Sequence, residues 1–132
     1  MKRLLTAMAL IASIGSASSA MAASAQPNTK EVNISVNDAY VPGGFSSDTD
    51  AYVVISGVFP NSCYRWNRAE VTDKTATNHE VKAYAMVSES MCLMVLVPYT
   101  QEVKLGRLQR GEHTLRFVNG DGTYFEKNLV VE

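Results

Sequence analysis

Two cysteines, Cys63 and Cys92, are the sequence feature that most restricts the fold of this chain. They are the only cysteines among 132 residues. In an oxidising compartment such a pair most simply forms one disulfide. In the chain-entropy account, a bridge of this span stabilises the fold by about 3.5 kcal/mol. The alternative is a redox or metal-binding thiol pair, which usually shows C-x-x-C spacing; that spacing is absent here.

The amino terminus has the pattern of a secretory signal peptide. Lys2 and Arg3 precede an apolar run over residues 4–14, and small residues crowd residues 15–25. The apolar run is too short for a membrane-spanning helix, which needs about 20 apolar residues. We therefore expect an exported chain, periplasmic or extracellular, with a signal peptide over residues 1–22 and cleavage after Ala25 as the alternative. The mature chain would have no membrane span.

The chain after the leader is expected to form one small, slightly acidic domain. Residues 23–30 are small and polar, which predicts a disordered lead-in before a single domain over residues 31–132. Removal of the leader leaves 10 basic and 13 acidic residues, a net charge of −3. Nucleic-acid-binding surfaces are basic because they neutralise phosphates, so this charge argues against a nucleic-acid partner.

Short runs of β-branched and aromatic residues predict an all-β fold. Val32, Ile34 and Val36 alternate with polar residues, which is typical of a half-buried strand. Further strands are predicted over residues 51–59, 64–71, 81–87, 92–97, 103–108, 113–117 and 124–131. Residues 51–59 are apolar on both faces, which indicates a central strand. About seven antiparallel strands over about 100 residues suit an immunoglobulin-like β-sandwich.

Turn signals separate these runs. Asn119-Gly120-Asp121-Gly122 is the strongest, because asparagine and glycine accept the positive φ angles of tight hairpins. Glycine, proline and serine over residues 42–48 predict a loop. Pro98 lacks a backbone donor, so we expect the strand over residues 92–97 to bend or end there.

Several segments resemble known bacterial sequences. Val103 to Leu108 reads V-x-L-G-x-L, and residues 111–117 follow it as a glycine-initiated strand. The two segments resemble the closing strands of bacterial immunoglobulin-like modules, although His113 stands where those modules often carry tyrosine. Residues 60–64 and 91–99 are similar to small secreted bacterial proteins of this kind that have no assigned function. The resemblance implies a β-sandwich and is nearly silent on activity.

Aromatic and basic residues after the first cysteine are candidates for an interaction patch. Tyr64, Arg65, Trp66 and Arg68 combine the three residue types that dominate protein interfaces. The alternative is a strand that turns its aromatic face into the core. Phe45, in the loop that follows Tyr40, is a second candidate for exposure; here too the alternative is burial against the core.

Methionines around the second cysteine are weak candidates for a soft-metal site. Met86, Met91 and Met94, with His79 upstream, offer ligands that suit copper(I). The alternative is that the methionines fill gaps in the core, and a disulfide at Cys92 would remove its thiolate. We therefore expect no bound metal and no cofactor.

Nothing in the sequence predicts catalysis. His79 and His113 are the only histidines, and no G-x-S-x-G motif is present. His113 falls on the inward face of its predicted strand, which predicts a hydrogen-bonded, partly buried side chain. The sequence favours a secreted or periplasmic, non-catalytic domain that binds another protein or a surface ligand. The alternatives are a protease inhibitor acting through the loop over residues 42–50 and a copper-binding protein.

Overall fold

The computed structural model describes residues 29–132 and shows eight strands in two sheets. The strands are β1 (Thr29–Ile34), β2 (Asp38–Tyr40), β3 (Asp50–Phe59), β4 (Tyr64–Asp73), β5 (Asn78–Ser88), β6 (Val97–Arg107), β7 (Gly111–Val118) and β8 (Tyr124–Val131). Among the described residues, no helix is long and apolar enough to cross a membrane. The predicted signal peptide and residues 23–28 of the predicted lead-in lie outside the described residues.

β5 organises the larger sheet, because it pairs with three other strands. β4 runs antiparallel along one edge of β5, from the Tyr64–Val87 pair to the Asp73–His79 pair. β1 and β7 both pair with the other edge of β5, each along a different part of it. β1 pairs antiparallel with the second half of β5, and β7 pairs parallel with residues 78–81. β8 completes the sheet through its antiparallel pairing with β7.

The smaller sheet has the order β2, β3, β6, so β3 is its central strand. Residues alternate between fully and partly buried along most of β3, which explains why both of its faces are apolar. The predicted central strand over residues 51–59 is therefore confirmed.

Inward side chains of both sheets form one core. Val53, Ile55 and Val103 come from the smaller sheet, and Val81, Ala83, Ala85, Leu115, Phe117, Leu129 and Val131 come from the larger. Along β5 and β7 every second residue is buried, because successive side chains of a strand point to opposite faces. The predicted all-β sandwich is confirmed. One strand pair, β5 with β7, is parallel and departs from the expected antiparallel arrangement.

The predicted disulfide is present between Cys63 and Cys92, with Cα atoms 5.4 Å apart. It connects the residue before β4 to the segment between β5 and β6. The predicted hairpin at residues 119–122 is also present, as the connection between β7 and β8. There Gly122 has a φ of 87°, and the Asn119 side chain accepts a hydrogen bond from the Val36 amide at 2.9 Å.

The strand prediction is wrong at three places. Residues 91–96 form no strand, and only Val97 of the predicted segment belongs to one. Pro98 does not end a strand but lies near the start of β6, an edge strand, where a missing donor is tolerated. Thr29 and Lys30, predicted to be disordered, pair with Ser88 and Val87 at the start of β1.

Candidate functional site

The segment over residues 91–96, here called the apolar loop, is the most exposed apolar feature of the described chain. Nine large hydrophobic side chains are exposed in the described residues, and five of them lie here: Met91, Leu93, Met94, Val95 and Leu96. Met91 is fully exposed, and Met94 and Leu96 are 83% and 75% exposed. The loop contains no charged residue. Contiguous apolar exposure of this kind marks interaction sites, since monomeric proteins rarely tolerate it otherwise.

The apolar loop is fixed to the sandwich at its first half. Cys92 is bonded to Cys63, whose side chain is buried. The Leu93 amide donates to Ser62 Oγ at 2.7 Å, and the Ser62 amide donates to the Leu93 carbonyl at 3.1 Å. These bonds hold the loop backbone in place while its side chains face solvent. Binding through it therefore loses less conformational entropy than binding through a free segment.

The apolar loop lies at one end of the sandwich, here called the disulfide end. It connects Ser88, the last residue of β5, to Val97, the first residue of β6. Thr29, where the described chain begins, pairs with Ser88, and Phe59 pairs with Val97. The first described residue and the apolar loop therefore lie at the same end of the sandwich.

The predicted patch on β4 does not form a single surface. Tyr64 and Trp66 turn inward: Tyr64 stacks on Phe59 at 5.8 Å, and Trp66 lies 5.8 Å from the Tyr99 ring. Arg65 is exposed on the other face. The predicted alternation of side chains along β4 is confirmed at these positions. It places Tyr64 and Trp66 on one face of the strand and Arg65 on the other, so they do not share a surface.

Arg68 ties strands together on the outer face of the larger sheet. It reaches both carboxylate oxygens of Glu31, at 2.7 and 3.2 Å, and stacks over the Tyr84 ring at 4.3 Å. The hydrogen bond from Arg68 lowers the pKa of the Glu31 carboxyl. Because β1 and β4 flank β5, these contacts span three strands, and Arg68 is committed to them.

Phe45 is buried and so takes no part in a surface patch. Its ring packs edge-on against Tyr52 at 5.4 Å, and its carbonyl accepts a hydrogen bond from the Glu132 amide at 2.8 Å. Tyr40, the other aromatic residue of this region, is exposed. The loop over residues 42–50 therefore exposes its polar tip and keeps its aromatic side chain in the core.

The predicted copper ligands are not brought together. Met86 lies on the outer face of β5, whereas Met91 and Met94 project from the apolar loop. His79 is seven residues from Met86 along the strand, or about 23 Å at the usual rise of a strand. Among the described residues, no group of three or more histidine, cysteine, aspartate or glutamate side chains is arranged to hold a metal ion.

The two histidines instead meet each other in the core at the opposite end of the sandwich, here called the histidine end. His79 Nε2 lies 2.9 Å from His113 Nδ1, and both side chains are buried. His79 Nδ1 lies 2.6 Å from Asp73 Oδ1, and His113 Nε2 lies 2.6 Å from the Gln109 carbonyl oxygen. The predicted burial and hydrogen bonding of His113 are confirmed. The pairing with His79 was missed, although the period of β5 puts His79 in phase with Val81.

Asp73, His79, His113 and Gln109 form one hydrogen-bonded chain, here called the histidine network. The Gln109 carbonyl can only accept, so His113 Nε2 donates to it. The contact between the two rings takes one proton, carried by either His79 Nε2 or His113 Nδ1. The network therefore pairs the nitrogens of both buried rings.

A groove of about 250 Å³ lies beside the histidine network. Its charged lining residues already pair with one another: Lys74 with Glu80 at 3.9 Å, and Arg116 with Glu126 at 2.9 Å. Arg116 also stacks over the Tyr124 ring at 4.4 Å. The charged groups of the groove are thus occupied by one another, whereas the apolar side chains of the loop are exposed to solvent.

The two packed sheets and their disulfide define a β-sandwich domain. The sequence profile of the ORF11 beta-sandwich domain family matches residues 53–130, more than half of the chain. The chain therefore belongs to this family of β-sandwich domains. No curated protein and no solved structure matches the chain significantly. The matched residues include the disulfide, the apolar loop and both histidines.

Proposed function

We propose that the protein is an exported, non-catalytic binding domain whose contact surface is the apolar loop. The observation that carries this proposal is the concentration of five exposed apolar side chains in residues 91–96. Leaving such side chains in water is unfavourable by about 25 cal/mol per Å² of apolar surface. A partner that covers the loop recovers this free energy.

The attachment of the loop supports a binding role over a disordered connection. Cys92 and Leu93 are held by the disulfide and by two hydrogen bonds to Ser62. The fold thereby presents apolar side chains on a fixed backbone, as binding loops on rigid scaffolds do. Export is supported by the leader pattern of residues 1–22 and by the disulfide, which forms in oxidising compartments.

We propose that the domain is not catalytic because the side chains of both histidines are engaged in structural hydrogen bonds. His79 and His113 are buried, and the hydrogen bonds of the network occupy the nitrogens of both rings. Among the described residues, the hydrogen-bond partners of the two rings are Asp73, each other and the Gln109 carbonyl, and none of these is a hydroxyl or thiol that a histidine base would activate. The two alternatives receive less support: Phe45 is withdrawn from the proposed inhibitory loop, and His79 is distant from the methionines.

Site-specific photo-crosslinking tests the proposal. The full-length sequence is expressed in its host with a benzophenone amino acid at position 94 and, as the matched control, at position 130. Val130 is an exposed apolar residue of β8, remote in sequence from the apolar loop. We expect covalent adducts, whether protein or lipid, from position 94 and few from position 130. Equal yields from both positions, or none from position 94, contradict the proposal.

A further inference from the structure

We propose that the partner of the apolar loop is a lipid bilayer, into whose surface the loop inserts. The inference rests on the proposed function, because it names the partner of the same loop. Three properties of the described chain favour lipid over a protein partner: the residue types of the loop, the hydrogen bonding of its backbone, and its position at the end where the described chain begins.

The loop lacks the three residue types that most often dominate the binding energy of protein interfaces. Tryptophan, tyrosine and arginine dominate the energetics of protein interfaces, and residues 91–96 contain none of them. Methionine, leucine and valine offer flexible apolar surface without directional bonds. Such side chains suit hydrocarbon, which supplies no complementary pocket and no hydrogen-bond partner.

Part of the loop backbone already has its hydrogen-bonding groups paired, as an apolar environment requires. An unpaired amide or carbonyl group is costly in the hydrocarbon region of a bilayer. Both backbone groups of Leu93 are paired with Ser62, at 2.7 and 3.1 Å. The loop can thus immerse the Leu93 side chain without exposing free backbone donors and acceptors of that residue.

The apolar loop lies at the end of the sandwich where the described chain begins. Thr29 pairs with Ser88, the last β5 residue before the apolar loop. The preceding 28 residues include the apolar run at residues 4–14, which in an export leader enters the membrane. The described chain therefore begins at the disulfide end, so a leader held in a membrane would be joined to the sandwich at that end.

The charges near the loop predict the type of lipid. Lys30, Arg65 and Glu89 are exposed at the disulfide end, and the chain without its leader has a net charge of −3. This balance gives little attraction to an anionic surface, so insertion depends on apolar burial. We expect binding to vesicles of zwitterionic lipid that changes little when anionic lipid or salt is added.

Vesicle partitioning with hydrogen exchange tests the inference. The chain is recovered after expression of the full-length sequence, and mass spectrometry identifies its amino terminus. Phosphatidylcholine vesicles are then added, and exchange is followed at residues 89–96 and at residues 108–118 of the histidine end. We expect protection of residues 89–96 alone. Leu96→Ser should lower the partition coefficient about tenfold, because it removes one inserted leucine side chain. Val130→Ser should leave the partition coefficient unchanged.

Four results overturn the lipid assignment. The first is vesicle binding without protection of residues 89–96, which would place the contact elsewhere, for instance in a retained leader. The second is binding that requires anionic lipid and is lost in salt. The third is a dimer in light scattering that Leu96→Ser dissociates. The fourth is absence of vesicle binding together with protein adducts from position 94; this result rejects lipid while leaving the proposed function standing.

Discussion

His79 Nε2 and His113 Nδ1 lie 2.9 Å apart in the core, although the two residues are 34 positions apart in the sequence. The contact joins β5 to β7, the one parallel pair of the larger sheet. It also connects two turns, because Asp73 ends β4 and Gln109 precedes β7. A buried polar network of this kind stabilises the fold only while every member is paired.

The pairing within this network predicts a loss of stability when one member is removed. Asp73→Ala takes away the carboxylate that lies 2.6 Å from His79 Nδ1 and leaves that nitrogen of a buried ring without its partner. We therefore expect the free energy of unfolding to fall by about 1–3 kcal/mol, the usual cost of a buried polar group that loses its partner. Chemical denaturation at a single pH measures this difference.

The control for this experiment is Asp50→Ala. Asp50 is similarly exposed, and its carboxylate lies 3.9 Å from Arg107. Exposed ion pairs contribute little, so this variant should keep the stability of the wild type to within about 0.5 kcal/mol. Equal free energies of unfolding for Asp73→Ala and Asp50→Ala would contradict a stabilising role of the Asp73–His79 contact.

Burial of Tyr99 predicts a second, alkaline loss of stability. Burial raises the pKa of the Tyr99 hydroxyl to about 12, and the hydroxyl donates to the Ser35 carbonyl at 2.6 Å. A raised pKa in the folded state means that stability is fully present below about pH 10 and is lost as the pH rises toward 12. Tyr99→Phe should reduce this alkaline loss, at the cost of the hydrogen bond. Urea titrations from pH 9 to pH 12 check both effects.

Close packing of Gly57 against the same tyrosine predicts a steric effect. A Cβ atom at Gly57 would lie 2.5 Å from Tyr99 Oη and 2.6 Å from two ring carbons. Gly57→Ala should therefore destabilise the fold by about 1–3 kcal/mol, as overpacked substitutions do. Gly43→Ala is the matched control, since a Cβ atom there meets no atom within 4 Å. Equal thermal stability of the two variants would contradict this packing.

Removal of the disulfide should affect both stability and the apolar loop. Replacement of Cys63 and Cys92 by alanine should lower the free energy of unfolding by about 3.5 kcal/mol in the chain-entropy account. Because the bridge holds Cys92 beside Cys63, hydrogen exchange at residues 89–96 should also become faster in the folded variant. Loss of stability without faster exchange there would show that the Ser62 hydrogen bonds alone fix the loop.

Local sequence patterns predicted much of the sandwich but not the exposed apolar loop. Val81, Ala83 and Ala85 revealed the buried face of β5, because a strand repeats every two residues. The same reasoning failed at residues 91–96. An apolar run indicates burial when read alone, and only the surrounding fold shows that this run crosses between sheets at an exposed end. Its position between Glu89 and Pro98 was the available signal for a loop.

Contacts between distant segments account for the rest of what the sequence did not predict. β2 is three residues long, too short for a periodic pattern. The parallel pairing of β5 with β7 depends on how the whole chain closes. The alternation that placed His113 inward also applied to His79, yet the hydrogen bond between them follows from the strand register and not from either local pattern.

Oxidative footprinting of the methionines tests the central claim, that a partner covers the apolar loop in the intact system. Purified protein and intact producing cells are treated with peroxide, and the sulfoxide yields of Met91 and Met94 are divided by that of Met86. Both loop thioethers are open to solvent, whereas Met86 is partly buried on β5. We expect high ratios for the purified protein and ratios lower by about tenfold in cells, because burial limits access of the oxidant. Identical ratios in the two preparations would contradict the account.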